Sequence, residues 1–141
     1  MLVTIDTNIL YQALYSSSGA SYALLKMIRE GEIRMALSHQ VLLEYEEVLT
    51  RVTSLKSFGL SLNEVRKVLR FIAYISEKFE PKFLFRPNLL DENDNIFVEL
   101  AVVSQSSFII TKNIKDFRNS ELKFECFKLI NPSDFLTLWR K

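Results

Sequence analysis

Apolar residues recur along this chain in two rhythms. Residues 1–5 are apolar except Thr4, the density of a short buried strand. From Asp6 the spacing becomes helical through Ile9, Leu10, Ala13 and Leu14, until three serines and Gly19 break it. Ala23, Leu24, Met27 and Ile28 resume it and Gly31 stops it. Residues 33–37 suit a second strand, and Ser38 is placed to cap the next helix. That helix is expected over 39–52, with Val41, Tyr45, Val48 and Val52 spaced by four, three and four. After Gly59, Ser61 and Glu64 form an S-x-x-E capping box. The helix it opens carries Leu62, Val65, Val68, Leu69, Ile72, Ile75 and Phe79 on one side, with Pro81 ending it and a third strand expected over 82–85.

The second half repeats the alternation. Residues 96–103 are apolar on nearly every side except Glu99, as in a buried helix. Short strands are expected over 108–111 and 124–130, and Asn131-Pro132 then opens a terminal helix with an amide at the cap and proline behind it. Short apolar strands separated by helices indicate an α/β fold with a buried parallel sheet. At 141 residues, without linker or repeat, one domain over 1–141 is expected.

Composition narrows the function. A hydrophobic share of 48% with 25% charged residues suits a compact soluble protein, and the net charge of +1 offers no global attraction to nucleic acid. No signal-peptide pattern and no membrane-length apolar run is found, so an intracellular, cytoplasmic protein is expected. The lone Cys126 lies in the last expected strand and reads as a buried thiol. With one histidine, His39, and one cysteine, a structural zinc site cannot be assembled.

Oxygen donors are another matter. In open parallel sheets, ligands lie beyond the carboxyl ends of the strands. The first strand runs out at Asp6, the second at Ser38, and the fourth at Thr111, followed by Lys112, Asn113 and Asp116. Asp91 and Asp94, in the polar run DENDN, precede a helix that packs on the same sheet. Carboxylates ~4 Å apart repel by roughly 4 kcal/mol at an effective dielectric of about 20. Three or four together therefore shift their pKa values or bind a cation, and oxygen ligands alone suit Mg²⁺ or Mn²⁺, hence phosphate chemistry. Plainer roles exist for each: Asp6 and Asp94 are equally placed to cap helices, and His39 fits an early helical turn. On the third helix, Glu44 and Glu46 flank opposite borders of the apolar stripe while Glu47 points away, so periodicity does not choose between the first two. An EF-hand loop from Asp91 would require glycine at 96 and glutamate at 102; Ile96 and Val102 exclude it.

Four segments in this order resemble the PIN-domain family, in its VapC-like, putative-toxin branch. They are VTIDTNIL (3–10), LSHQVLLEYEEVL (37–49), DENDNIFVELA (91–101) and FIITKNIKDF (108–117), and the resemblance they carry extends over nearly the whole chain. The resemblance implies a three-layer α/β/α sandwich around a mostly parallel sheet. It assigns Glu44 as the acid of the second segment. It also implies a metal-dependent ribonuclease in which Asp6, Glu44 and Asp94 hold Mg²⁺ or Mn²⁺, with Asp91, Asn113 and Asp116 completing or positioning the site. Asn8, Ser38 and Thr111 would orient the carboxylates, and Lys112, Lys115 and Arg118 would meet RNA phosphates; Arg66, Lys67 and Arg70 read as a solvated helix face. A homodimer and a small antitoxin partner are further implications. Many family members carry Asp where this chain has Asn113, which removes one charge and keeps a second possibility open: a PIN module with weak or no catalysis that binds RNA or a protein. A phosphoryl-transfer receiver would need an acidic pair after the first strand, and a haloacid-dehalogenase-like phosphatase Asp-x-Asp; Ile5-Asp6 and Asp6-Thr7-Asn8 supply neither.

Overall fold

The computed structural model describes residues 1–81 and 92–140, and only the backbone of residues 92–94, 119, 122 and 123. Five strands form one sheet: β1 (Leu2–Ile5), β2 (Arg34–Leu37), β3 (Glu77–Lys78), β4 (Phe108–Ile110) and β5 (Lys128–Ile130). Their order is β3-β2-β1-β4-β5 and every pairing is parallel. The chain builds outward from β1 in one direction, then returns and builds in the other. The order therefore reverses between β1 and β4, which is where a crevice opens in such a sheet.

Helices fill the connections: α1 (Thr7–Tyr15) and α2 (Ala20–Arg29) lead to β2, and α3 (His39–Leu49), α4 (Val52–Phe58) and α5 (Leu62–Ile75) lead to β3. α6 (Glu92–Ser104) crosses back to β4, α7 (Ile114–Lys123) joins β4 to β5, and α8 (Pro132–Trp139) follows. Right-handed crossovers place helices of opposite travel on opposite faces. α2 packs on α1 and α8, α6 lies against β1, β2 and β4, and the result is the three-layer α/β/α sandwich. Val3 and Ile5 of β1, Met35 and Leu37 of β2 and Ile109 and Ile110 of β4 are buried between the layers. Each such side chain contributes roughly 1.5–3 kcal/mol by leaving water. α6 is buried on almost all sides, Glu99 and Asn95 included, as its near-continuous apolar sequence requires.

Local chemistry sets the boundaries. Ser38 Oγ accepts the Val41 N–H (3.2 Å) and starts α3. At α5 both halves of the capping box form: Ser61 Oγ accepts the Glu64 N–H (3.2 Å) and Glu64 Oε1 accepts the Ser61 N–H (3.0 Å). These bonds lower the Glu64 pKa, since they favour the charged carboxylate. Gly59 ends α4 at φ 67°, a left-handed conformation that a side chain would strain.

Four expectations are corrected. The helix expected over 39–52 divides: α3 stops at Leu49, and Val52 begins α4 with 69% of its surface exposed. Thr50 Oγ1 donates to the Glu46 carbonyl (2.6 Å), meeting part of the backbone need at that break. α5 ends at Ile75, before Phe79, because Ser76 turns extended and donates its hydroxyl to the Ile72 carbonyl (2.6 Å). The strand then forms at Glu77–Lys78, anchored by the Arg34–Glu77 ion pair (2.9 Å) and by the Phe79 N–H on the Leu37 carbonyl (2.8 Å); the strand expected over 82–85 lies outside the described residues. Finally, β5 spans only Lys128–Ile130, so Cys126 falls in the turn before it and is exposed, while the neighbouring Phe127 takes the buried place. The apolar spacing does not announce α7, whose ten residues carry few apolar positions besides Ile114 and Phe117.

Candidate active site

β1 and β4 end side by side, and the first polar residue of each lies at the reversal. The Asp6 N–H donates to the Ile110 carbonyl (3.0 Å), extending the β1–β4 ladder by one residue before the chain turns into α1. Asp6 thereby occupies the N-cap position of α1, yet its side chain makes no capping bond. Instead Oδ2 accepts a hydrogen bond from Thr111 Oγ1 at 2.7 Å, across the switch point. Asp6 is 6% exposed and Thr111 fully buried. The Thr111 oxygen also accepts the Asn113 N–H (3.0 Å), so one hydroxyl fixes the carboxylate and the chain entering α7. Asn113 occupies the N-cap position of α7 without a side-chain cap, and its carbonyl accepts the Asp116 N–H (3.0 Å).

These residues open on a shared depression of about 340 Å³, lined by Asp6, Thr7, Asn8, Asn113, Asp116 and, from α3, Val48. Tyr45, adjoining Asp6 from α3, donates its hydroxyl to the Ile5 carbonyl (2.5 Å). Burial first, and then the negative charge of Asp6, push its pKa well above the ordinary tyrosine value, so the hydroxyl stays a neutral donor. The Tyr45 ring also meets Phe97 of α6, at 6.3 Å between centroids, which ties α3, β1 and α6 together behind the depression.

The three glutamates of α3 now separate. Glu47 pairs with Arg51 one turn on (2.7 Å) in an exposed bridge. Glu46 lines a groove against α5 with Leu42, Arg66, Leu69 and Arg70. Glu44 is half-buried and lies one helical turn before Val48, the residue of α3 that lines the Asp6 depression. Ser38 Oγ bonds to the Val41 amide, and Asn8 Oδ1 accepts the Lys112 N–H (3.4 Å); neither reaches a carboxylate among the described residues. Lys112, Lys115 and Arg118 are exposed, the first donating Nζ to Gln12 Oε1 (3.1 Å). Asp91 and the carboxylate of Asp94 lie outside the described residues, although the backbone of Asp94 belongs to the first turn of α6. Among the described residues no three acids, histidines or cysteines stand close enough together to hold a metal ion.

Two contributors escaped sequence reasoning. Tyr45 read as one more member of an apolar stripe, and nothing in its spacing marked the hydroxyl. Thr7 is buried at the depression, and its hydroxyl has no hydrogen-bond partner among the described residues. Its place inside the TIDTN segment was the available signal.

The model of the PIN domain matches residues 2–115, which include β1, α3, α6 and β4 with every acid named above except Asp116. The chain belongs to the PIN-domain family. Its fold is similar to that of a chain in the crystal structure of VapBC2 from Rickettsia felis bound to a DNA fragment from their promoter, at 17% identity and a TM-score of 0.64. That similarity covers 93% of this PIN domain and 98% of the other chain. No curated protein matches the sequence. No helix among the described residues is long and apolar enough to cross a membrane.

Proposed function

We propose that this PIN domain is a divalent-metal-dependent ribonuclease that hydrolyses RNA phosphodiesters. The observation that carries the proposal is the state of Asp6. It is buried at the head of a helix it does not cap, and its carboxylate is held by Thr111 toward a depression that Asn113 and Asp116 also line.

The donor set fits a hard divalent cation: every candidate atom is a carboxylate or amide oxygen, and none is sulfur or imidazole. Asp6, Glu44 and Asp94 are the proposed holding acids, with Asp91, Asn113 and Asp116 around them. A bound Mg²⁺ or Mn²⁺ supplies charge stabilisation at the phosphoryl oxygens and lowers the pKa of coordinated water. The chain's own work is positional. Thr111 keeps Asp6 Oδ2 in one orientation, Tyr45 holds the end of β1 against α3, and Asn113 and Asp116 form the opposite wall. Lys112, Lys115 and Arg118 sit where a polyanion would approach. Products with a 5′-phosphate and a 3′-hydroxyl, a homodimer, and an antitoxin that covers the depression complete the proposal as the family implies them.

The alternative, a PIN module with little or no catalysis, draws on Asn113, an amide that brings no charge to the site. RNA cleavage with and without Mn²⁺ separates the two. The wild type is expected to cleave only with the metal, and Asp6→Asn or Asp94→Asn to abolish cleavage. A wild type inert under these conditions selects the non-catalytic module, and cleavage that survives both substitutions removes these acids from the mechanism.

A further inference from the structure

A second depression, of about 390 Å³, lies beside the acidic one and is lined by Gln12, Ser21, Lys112, Asn131 and Ser133 among others. One seam separates the two. Asn8 borders the first and Gln12 the second, one turn apart on α1, or about 5.4 Å along its axis. Lys112 spans that seam, its N–H on Asn8 and its Nζ on Gln12.

The second depression gathers hydrogen-bond donors. α2 and α8 both begin at it. Gly19 gives α2 no side-chain cap, so the N–H groups of its first turn keep their unfilled donor capacity. At α8, Asn131 Oδ1 takes the Asp134 N–H (2.8 Å) and Pro132 has none, which leaves the N–H and hydroxyl of Ser133. Ser21 is the decisive residue. It is only 4% exposed, it lines the depression, and its hydroxyl makes no hydrogen bond to any described residue. Its oxygen is not one of the sealed, unpaired polar atoms among the described residues, so the hydroxyl is open to the depression and free to donate there. Among the described residues no carboxylate lines the space, and Lys112 brings a positive charge. The first-turn acid of α8, Asp134, is held by Asn131 Nδ2 at 3.1 Å and is not part of the lining. Two helix N-termini, an ammonium group and hydroxyl donors make an oxyanion site.

We propose that this depression is a phosphate subsite for single-stranded RNA. An RNA whose scissile phosphate lies over Asp6 places a neighbouring backbone phosphate between the N-termini of α2 and α8, held by Ser21, Ser133 and Lys112. The inference takes its substrate class from the ribonuclease proposal. It adds a positioning element outside the acids, one that fixes the register of the strand.

Binding of a short fluorescein-labelled single-stranded RNA to the full chain in EDTA tests it without cleavage. Ser133→Glu, at an exposed position that cannot disturb the core, and Lys112→Met are each expected to weaken binding about tenfold. Each should also reduce the slope of log K against log salt by about 0.7, the value for one lost phosphate contact on a single strand. Ser21→Glu should do the same, and Ser21→Ala should lose less. Inorganic phosphate titrated into ¹⁵N-labelled protein should shift the amides of residues 20–22 and 133. With Mn²⁺ present, Ser133→Glu should raise KM and leave kcat within about twofold. Unchanged affinity and salt slope in Ser133→Glu and Lys112→Met overturn the subsite even if the protein cleaves RNA. A wild type that shows the subsite signature in EDTA but never cleaves overturns the nuclease proposal alone.

Discussion

The Asp6–Thr111 pair joins the ends of β1 and β4 through a single buried hydrogen bond. A carboxylate at an N-cap position ordinarily satisfies first-turn N–H groups. Here one oxygen is bound sideways to Thr111 at 2.7 Å, so the group is oriented by the sheet rather than spent on the helix. Thr111→Val keeps the shape and removes the donor. Activity in the Mn²⁺ assay is expected to fall about 10–100-fold, the usual effect of losing an orienting partner, while Thr111→Ser retains most of it. Equal rates for all three proteins would show that Thr111 only supports the fold. Asp6 and Thr111 were both legible in the sequence as strand-end polar residues. The bond between them was not, because the partners stand 105 positions apart and nothing local records which strands become neighbours.

Among the elements, α5 shows how a helix boundary carries a pH signature. Ser61→Ala is expected to cost about 1 kcal/mol in denaturant unfolding. Glu64 has its pKa lowered in the folded state by the Ser61 bonds, so its contribution is present above the unfolded glutamate pKa and is lost as pH falls through the lower folded value. The stability gap between wild type and Glu64→Gln should therefore be full at neutral pH and close in acid; a gap that persists below the folded pKa would exclude the ionised cap as its cause. The start of α5 was readable because S-x-x-E acts over four residues. Its end was not: Phe79 keeps the helical phase, yet the pull of Leu37 and Arg34 draws 77–79 into the sheet. Long-range strand pairing outweighed local periodicity there, as it did when Cys126 fell in a turn.

For the whole molecule, the reversal of strand order between β1 and β4 is what brings Asp6 and Asp116 to one depression. Asp6, Asn113 and Asp116 line one depression because β1 and β4 are adjacent and parallel, and α3 brings Val48 to the same opening. If those groups and Asp94 hold a divalent ion, the ion stabilises the fold by mass action. At a Mn²⁺ concentration about 100 times Kd the gain is about 2.7 kcal/mol, a rise in Tm of several degrees. Calorimetry should show that rise in the wild type and lose it in Asp6→Asn and Asp94→Asn. An equal rise in all three places the ion elsewhere.

Local patterns were enough to establish the α/β class, the strand-end positions of Asp6 and Thr111, and the caps at Ser38, Ser61 and Asn131. These follow from interactions within a turn or two, which side-chain spacing encodes directly. Three matters depended on the assembled sheet: that Val48 of α3 lines the same depression as Asp6, where β3 and β5 lie, and how the N-termini of α2 and α8 converge on Ser21 and Lys112. Each depends on contacts between segments far apart in the chain, and those contacts exist only once β1 has taken β2 and β4 as its neighbours.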